Sequence, residues 1–117
     1  MQYLLLIYGA EKAWTTMSEA ERNTLFTDYR TFTDDIKKSG HYVGGNPLQP
    51  THTATTVRVR DGKSSTTDGP FAETREQLGG YYLVEAKNLD EATGIAARIP
   101  GARLGSIEVR PVMSTGV

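Results

Sequence analysis

Thr67-Asp68-Gly69-Pro70-Phe71-Ala72-Glu73-Thr74-Arg75-Glu76-Gln77-Leu78-Gly79-Gly80 is the stretch on which the reading of this chain turns. It sets carboxylates, a proline, glycines and a single aromatic ring between segments of strand-like composition. Asp-Gly-Pro imposes a sharp corner, because glycine accepts positive φ while proline locks φ and removes a donor, so Asp68 and Phe71 leave it in set directions. The plain structural reading is a rigid corner with solvated acids, since turns and charge runs are commonly structural.

Upstream of the corner, Thr53 to Arg60 alternates Val57 and Val59 with Arg58 and Arg60 and then meets Asp61-Gly62, a two-residue hairpin signal. Lys63 to Thr67 is expected to pair back on it. His41 to Pro50 reads as a loop, because Gly44-Gly45-Asn46-Pro47 disfavours regular structure. Downstream, Gly80 to Ala86 has the aromatic and branched composition of a strand. Asn88-Leu89-Asp90-Glu91 then offers helix-capping chemistry. Ala92, Ile95, Ala96 and Ile99 line a short helix that Pro100-Gly101 ends, with Gly94 and the alanines read as allowing close approach to a sheet. Ser106 to Arg110 alternates again, with Ile107 and Val109 on one face and Glu108 and Arg110 on the other.

At the front of the chain, Tyr3-Leu4-Leu5-Leu6-Ile7-Tyr8 is continuously apolar and closed by Gly9, which suits a central strand covered on both faces. Ser18-Glu19-Ala20-Glu21 reads as a capping box. The stripe Leu25, Tyr29, Phe32, Ile36 follows at helical spacing, with Lys37 and Lys38 at the negative end before Gly40. The order is strand, helix, hairpin, strand, helix, strand. That is a split β-α-β, ferredoxin-like α+β pattern with an inserted hairpin, in a single domain spanning 1–117, with both helices on one face of an antiparallel sheet. The other face is left apolar and uncovered, so a homodimer with sheets packed face to face is expected.

Composition narrows the class further. A chain of 117 residues with net charge -1 has room for one modest core and no electropositive footprint, which argues against nucleic-acid or anionic-membrane binding. The absence of cysteine removes disulfides, thiolate nucleophiles and zinc-thiolate sites and fits a reducing, cytoplasmic setting. Met1-Gln2 lacks the cationic region of a signal peptide, and the apolar run is far short of the roughly 20 residues of a membrane span. Gly44-Gly45 and Gly79-Gly80 are isolated pairs rather than a phosphate loop, and no Gly-x-Ser-x-Gly elbow occurs.

The stretch Thr67 to Tyr82 closely resembles the signature of the YCII-related, DGPF-containing family of small bacterial proteins. Met1 to Tyr8, Gly45-Asn46-Pro47-Leu48-Gln49-Pro50 and Gly105 to Val112 are similar to that family as well, so the resemblance runs nearly the length of the chain. It implies a ferredoxin-like fold assembled as a dimeric α/β barrel, an architecture shared with small-molecule isomerases, monooxygenases and heme- or lactone-handling enzymes. In the wider group it implies acid–base chemistry on small ring compounds through a His on the first helix together with an Asp, and dehydrochlorination of chlorinated hydroquinones. Here the helix position of that His falls near Tyr29, and neither His41 nor His52 lies on the helix. The DGPF branch also resembles domains found with extracytoplasmic-function sigma factors, which implies a regulatory or interaction module as the alternative.

Asp68 is the leading catalytic candidate, because a carboxylate held at a rigid turn beside Phe71 can be desolvated toward a useful proton affinity; the alternative is a turn cap. Tyr29 and His41 complete the candidate catalytic set of a cofactor-independent lyase- or isomerase-like enzyme, as hydrogen-bond donor and as a group titrating near neutrality. Arg58 and Arg110 are candidates to neutralise an anionic substrate, with Phe71 and Glu73 beside them, although an ion pair of Arg110 with Glu85 or Glu108 explains it equally well. Tyr81 and Tyr82 are read as hydrogen-bond donors to a ring or as core and dimer contacts. Glu73 and Glu76 lack further ligands in a recognisable order, so neither a metal nor a cofactor is expected. The functional expectation is a homodimer binding a small anionic or aromatic metabolite in a barrel cleft.

Overall fold

The computed structural model describes residues 1–114. In chain order the elements are β1 (Gln2–Gly9), α1 (Glu11–Thr16), α2 (Glu19–Lys38), β2 (Tyr42–Pro47), β3 (Thr55–Arg60), β4 (Lys63–Asp68), β5 (Gln77–Glu85), α3 (Leu89–Ala97) and β6 (Ser106–Pro111), with 3-10 turns at Thr51–Thr53 and Pro100–Arg103. They form a mixed, antiparallel α+β architecture. The main sheet is four-stranded in the order β2-β5-β1-β6, and β3 and β4 make a separate two-stranded sheet.

The period-2 geometry of β1 explains where the core sits. Tyr3 and Leu5 are buried and stand opposite Val84 and Tyr82 of β5, while Leu5 and Ile7 stand opposite Val109 and Ile107 of β6. Phe32 and Ile36 of α2, Ala92, Ile95 and Ala96 of α3, and Ile99 close over this face in one cluster. Each large side chain fully buried here contributes about 1.5–3 kcal/mol relative to exposure. Alternate residues of β1, Leu4, Leu6 and Tyr8, lie on the other face and are only half-buried. The smallest dimension is 18 Å, the depth of one sheet and one helix layer; a further layer adds about 10 Å.

Helix α2 has both of its sequence-encoded ends. Ser18 Oγ accepts from the Glu21 N–H at 3.1 Å, and the Glu21 carboxylate accepts from the Ser18 N–H at 3.2 Å, completing the capping box. At the far end Gly40 sits at φ 80°, and the N–H groups of Gly40 and His41 reach back to the carbonyls of Lys37 and Ile36. The hairpin turn is of type I′, with Asp61 at φ 51° and Gly62 at φ 73°.

Several sequence expectations are corrected. His41 to Pro50 is not all loop, because Tyr42–Pro47 is an edge strand paired with β5. Proline is tolerated at its end, and Gly45 is required by close approach, since a Cβ there would lie 2.8 Å from the Tyr81 carbonyl oxygen. Gly94 does not face the sheet: nothing lies within 4 Å of its would-be Cβ, and Ala92 and Ala96 provide the close packing instead. At α3 Asn88 Oδ1 caps the Glu91 N–H at 2.9 Å, but the Glu91 carboxylate accepts from the Lys87 N–H at 3.2 Å, so the reciprocal half of the box is absent. Helix α1, which buries no side chain, has no counterpart in the sequence reading.

Candidate functional site

The half-covered sheet places a mixed polar and apolar surface opposite the helices. Cross-strand neighbours share a face, so Leu4 groups with Leu83 and Arg110, and Leu6 with Tyr81 and Glu108. Asn46 of β2 stands opposite Tyr81 and its amide donates to the Tyr81 hydroxyl at 2.9 Å. Arg110 donates to the Glu108 carboxylate, and this bond, with a smaller influence from Tyr8, pushes the guanidinium pKa further up, so the group is cationic at any working pH. Of the alternative ion-pair partners for Arg110, Glu108 is the one used; Glu85 instead accepts from the N-terminal ammonium at 2.7 Å. The face is thus an aliphatic floor rimmed by phenols, an amide and a fixed charge pair.

The signature corner is rigid in backbone and open in side chain. Gly69 lies at φ 97°, its N–H donates to the Ala54 carbonyl at 2.7 Å, and its carbonyl accepts from Thr56 Oγ1 at 2.9 Å. Asp68 ends β4 opposite Thr55, and among the described residues no hydrogen bond or ion pair holds its carboxylate. Asp68, Glu73 and Arg58 are exposed, and Phe71 is 80% exposed. Glu76 accepts from Ser106 Oγ at 2.9 Å, which ties the end of the loop to β6.

Tyr29 and His41 stand apart from the corner and from each other. The Gly101 N–H donates to the Tyr29 hydroxyl at 3.1 Å on the helix side of the sheet, and burial pushes the phenol pKa up. His41 lies at the opposite end of β2 from Pro47, about 20 Å away at strand rise, with Nδ1 2.6 Å from Ser39 Oγ and Nε2 3.1 Å from Glu91 Oε1. Among the described residues no hydrogen bond and neither cleft joins Asp68, Tyr29 and His41. His52 lies in an exposed 3-10 turn. Tyr82 faces the core and shares a 2.7 Å hydrogen bond with Thr33.

Two shallow clefts flank these features. One, of about 330 Å³, lies where β1 runs into α1, between Glu11, Lys12, Thr74, Arg75 and Gln77. The other, of about 230 Å³, lies between α2 and the Pro100–Arg103 turn, beside the Asp28–Arg103 ion pair. Sequence reasoning missed Tyr8 and Asn46 as members of the open face. The available signal was the unbroken apolar run of β1, which demands cover on both faces and so marks the residues alternate to Tyr3 and Leu5.

Residues 1–115 match the family model described as the YCII-related domain. An uncharacterized protein of Rhizobium meliloti (strain 1021) is 36% identical over 114 residues, covering 96% of this chain and 92% of that protein. Among solved structures, 5-chloro-2-hydroxyhydroquinone dehydrochlorinase from Burkholderia phenoliruptrix AC1100, in complex with 2,5-dihydroxybenzoquinone, superposes with a TM-score of 0.54 over 97% of this chain and 94% of that chain. At 15% identity this is a likeness of fold.

Proposed function

The chain belongs to the YCII-related family, and from that premise we propose that two copies pack through their open sheet faces as a ferredoxin-like dimeric α/β barrel that binds a small anionic ring compound between them. The observation that carries this reading is β1, apolar on both faces but covered by helices on one only. The strand order β2-β5-β1-β6 supports the ferredoxin-like topology, and an aliphatic face left in water is rarely tolerated by a monomer. Leu4, Leu6 and Leu83 form the floor on which a flat ring lies. Tyr8 and Tyr81 supply edges and hydroxyls, and Arg110 balances an acidic oxygen through charge-assisted hydrogen bonds. Asp68, whose carboxylate has no partner among the described residues, is the group that exchanges a proton with the ring in an acid–base reaction. The fold relative holds 2,5-dihydroxybenzoquinone, a planar oxygenated ring, which makes that compound the natural probe.

Calorimetric titration of the protein with 2,5-dihydroxybenzoquinone tests the reading. Binding is expected for the unaltered protein and at least tenfold weaker for Arg110→Ala, the size of one lost charge-assisted hydrogen bond of about 1.5–3 kcal/mol. Arg110 is exposed, so the variant should melt close to the parent. Equal binding by both proteins removes Arg110 from the site. Absence of binding to this and to other hydroxylated aromatic acids, together with recovery of a sigma factor from cell extract, would replace the metabolite reading with that of an interaction module.

A further inference from the structure

The β3–β4 hairpin stands outside the main sheet of its own chain. It forms a sheet separate from the main one, and of its strand residues only Thr56 is even half-buried. The radius of gyration of 16.2 Å exceeds the roughly 13 Å of a compact domain of this length, and the 18 Å depth leaves no third layer, so the hairpin projects beside the sheet rather than folding over it. A two-stranded hairpin alone in water is marginal at best and is stabilised by packing against something else.

The two faces of the hairpin differ in chemistry. The register puts Val57, Val59, Thr66 and Asp68 on one face, and Arg58, Arg60 and Lys63 on the other. Val57 and Val59 are 62% and 58% exposed. Alternation of this kind belongs to a strand with one face buried and the other in water. The base is also fixed in direction: Glu11 accepts from the Thr51 N–H at 2.9 Å and from its hydroxyl at 3.2 Å, and the Gly69 N–H closes onto Ala54.

We infer that the hairpin is an arm whose valine face docks on a second copy of this chain and carries Asp68 to the partner's open sheet face. This rests on the dimer reading above and adds to it that the site is composite. The occupant is a second copy because the same chain presents two incomplete surfaces, an uncovered sheet face and an uncovered arm face, which a two-fold axis pairs off in one interface. Area points the same way. From strand spacing of about 4.8 Å and a rise of about 3.3 Å, the sheet face spans about 400 Å² in plan, half of the roughly 800 Å² per partner of a stable interface. An arm face about 20 Å long adds roughly half as much again. The composite arrangement explains why Asp68 stands without a partner in one chain, on a sheet separate from the one that carries Arg110: the groups meet across the two-fold axis. The cations of the opposite face stay in water and keep the arm soluble.

Sedimentation and hydrogen exchange test the arm. The unaltered protein is expected to sediment as a dimer, Val57→Asp/Val59→Asp to dissociate at a concentration at least tenfold higher, and Arg60→Asp to behave as the parent. Because these side chains are exposed, the circular dichroism of each variant should be unchanged. Amides of β3 and β4 should slow in exchange at least tenfold between dilute and concentrated parent protein, and a heterodimer of Asp68→Ala with Arg110→Ala should regain half of the 2,5-dihydroxybenzoquinone sites, since one of its two composite sites is intact. A dimer that the valine variants form as tightly as the parent, with concentration-independent exchange in the hairpin, overturns the arm and leaves the face-to-face dimer standing. A parent protein that is monomeric at all concentrations overturns both. Affinity of the parent for RNA or an acidic polymer, lost on removal of Arg58, Arg60 and Lys63 while the valines prove dispensable, overturns the arm in favour of a cationic binding strip.

Discussion

Gly105 and Gly94 bracket what a single hydrogen in place of a methyl group does in this chain. A Cβ on Gly105 would lie 2.1 Å from the Tyr8 carbonyl oxygen and 3.0 Å from Gly9 Cα, backbone atoms of the central strand that cannot rotate away. Gly105→Ala is therefore expected to lower stability by more than about 2 kcal/mol, in the range of core strain. Gly94 lies inside α3 with open space around its would-be Cβ, so Gly94→Ala should raise stability by about 0.5–1 kcal/mol. Thermal melting of both variants decides, and equal effects would contradict the packing at the β6 entry. Glu91 makes the corresponding electrostatic case. The Lys87 backbone N–H first, and His41 after it, hold its carboxyl below the ordinary carboxylate range. A carboxyl depressed by folding adds stability at pH above its unfolded value near 4.3, and that stability is lost as pH falls through the lower folded value. The melting-temperature gap between the parent and Glu91→Gln should accordingly be full at pH 7 and close as the pH falls below about 4; a gap constant down to pH 3 would show that the carboxylate is not held.

At the scale of elements, the ends of α2 are the clearest sequence-encoded feature. Ser18→Ala removes the acceptor for the Glu21 N–H and should cost about 1 kcal/mol by thermal or urea unfolding. Little change would mean that water replaces the cap fully. Elements that carry their own chemistry were legible in this way: α2 from its capping box and Gly40, the hairpin from Asp61-Gly62, β6 from Ile107 and Val109 in alternation. The missed elements depend on neighbours. Strand β2 holds Gly44, Gly45 and Pro47, none of which favours a strand, and it exists because β5 offers a free edge to pair with. Helix α1 has no side-chain cap and buries nothing; Glu11 is placed by its contacts to Gln77 and Thr51, residues distant in sequence.

On the scale of the whole molecule, the same distinction governs the candidate site. The rigid corner at Asp68 was legible because its cause is local, in Gly69 and Pro70. The membership of the open sheet face was not, because register across β1, β5 and β6, and not proximity in sequence, sets Tyr81 and Glu108 beside Leu6. Register also separates the roles of adjacent leucines. Leu5 is fully buried under the helices, so Leu5→Ala should cost about 2–5 kcal/mol of folding free energy. Leu6 points to the open face, where an arginine can reach water in a lone subunit but would be buried against a second sheet beside Arg110, with only the Glu108 carboxylate to share between the two cations, a loss of several kcal/mol. Leu6→Arg is therefore expected to melt near the parent when dilute, yet to weaken dimerisation at least a hundredfold, sedimenting as a single subunit with a radius of gyration near the 16.2 Å of one chain. Scattering and sedimentation across a concentration series separate the cases. If Leu6→Arg assembles as the parent does, the open face is not the surface that meets the second copy, and the chamber proposed between the sheets is lost with it.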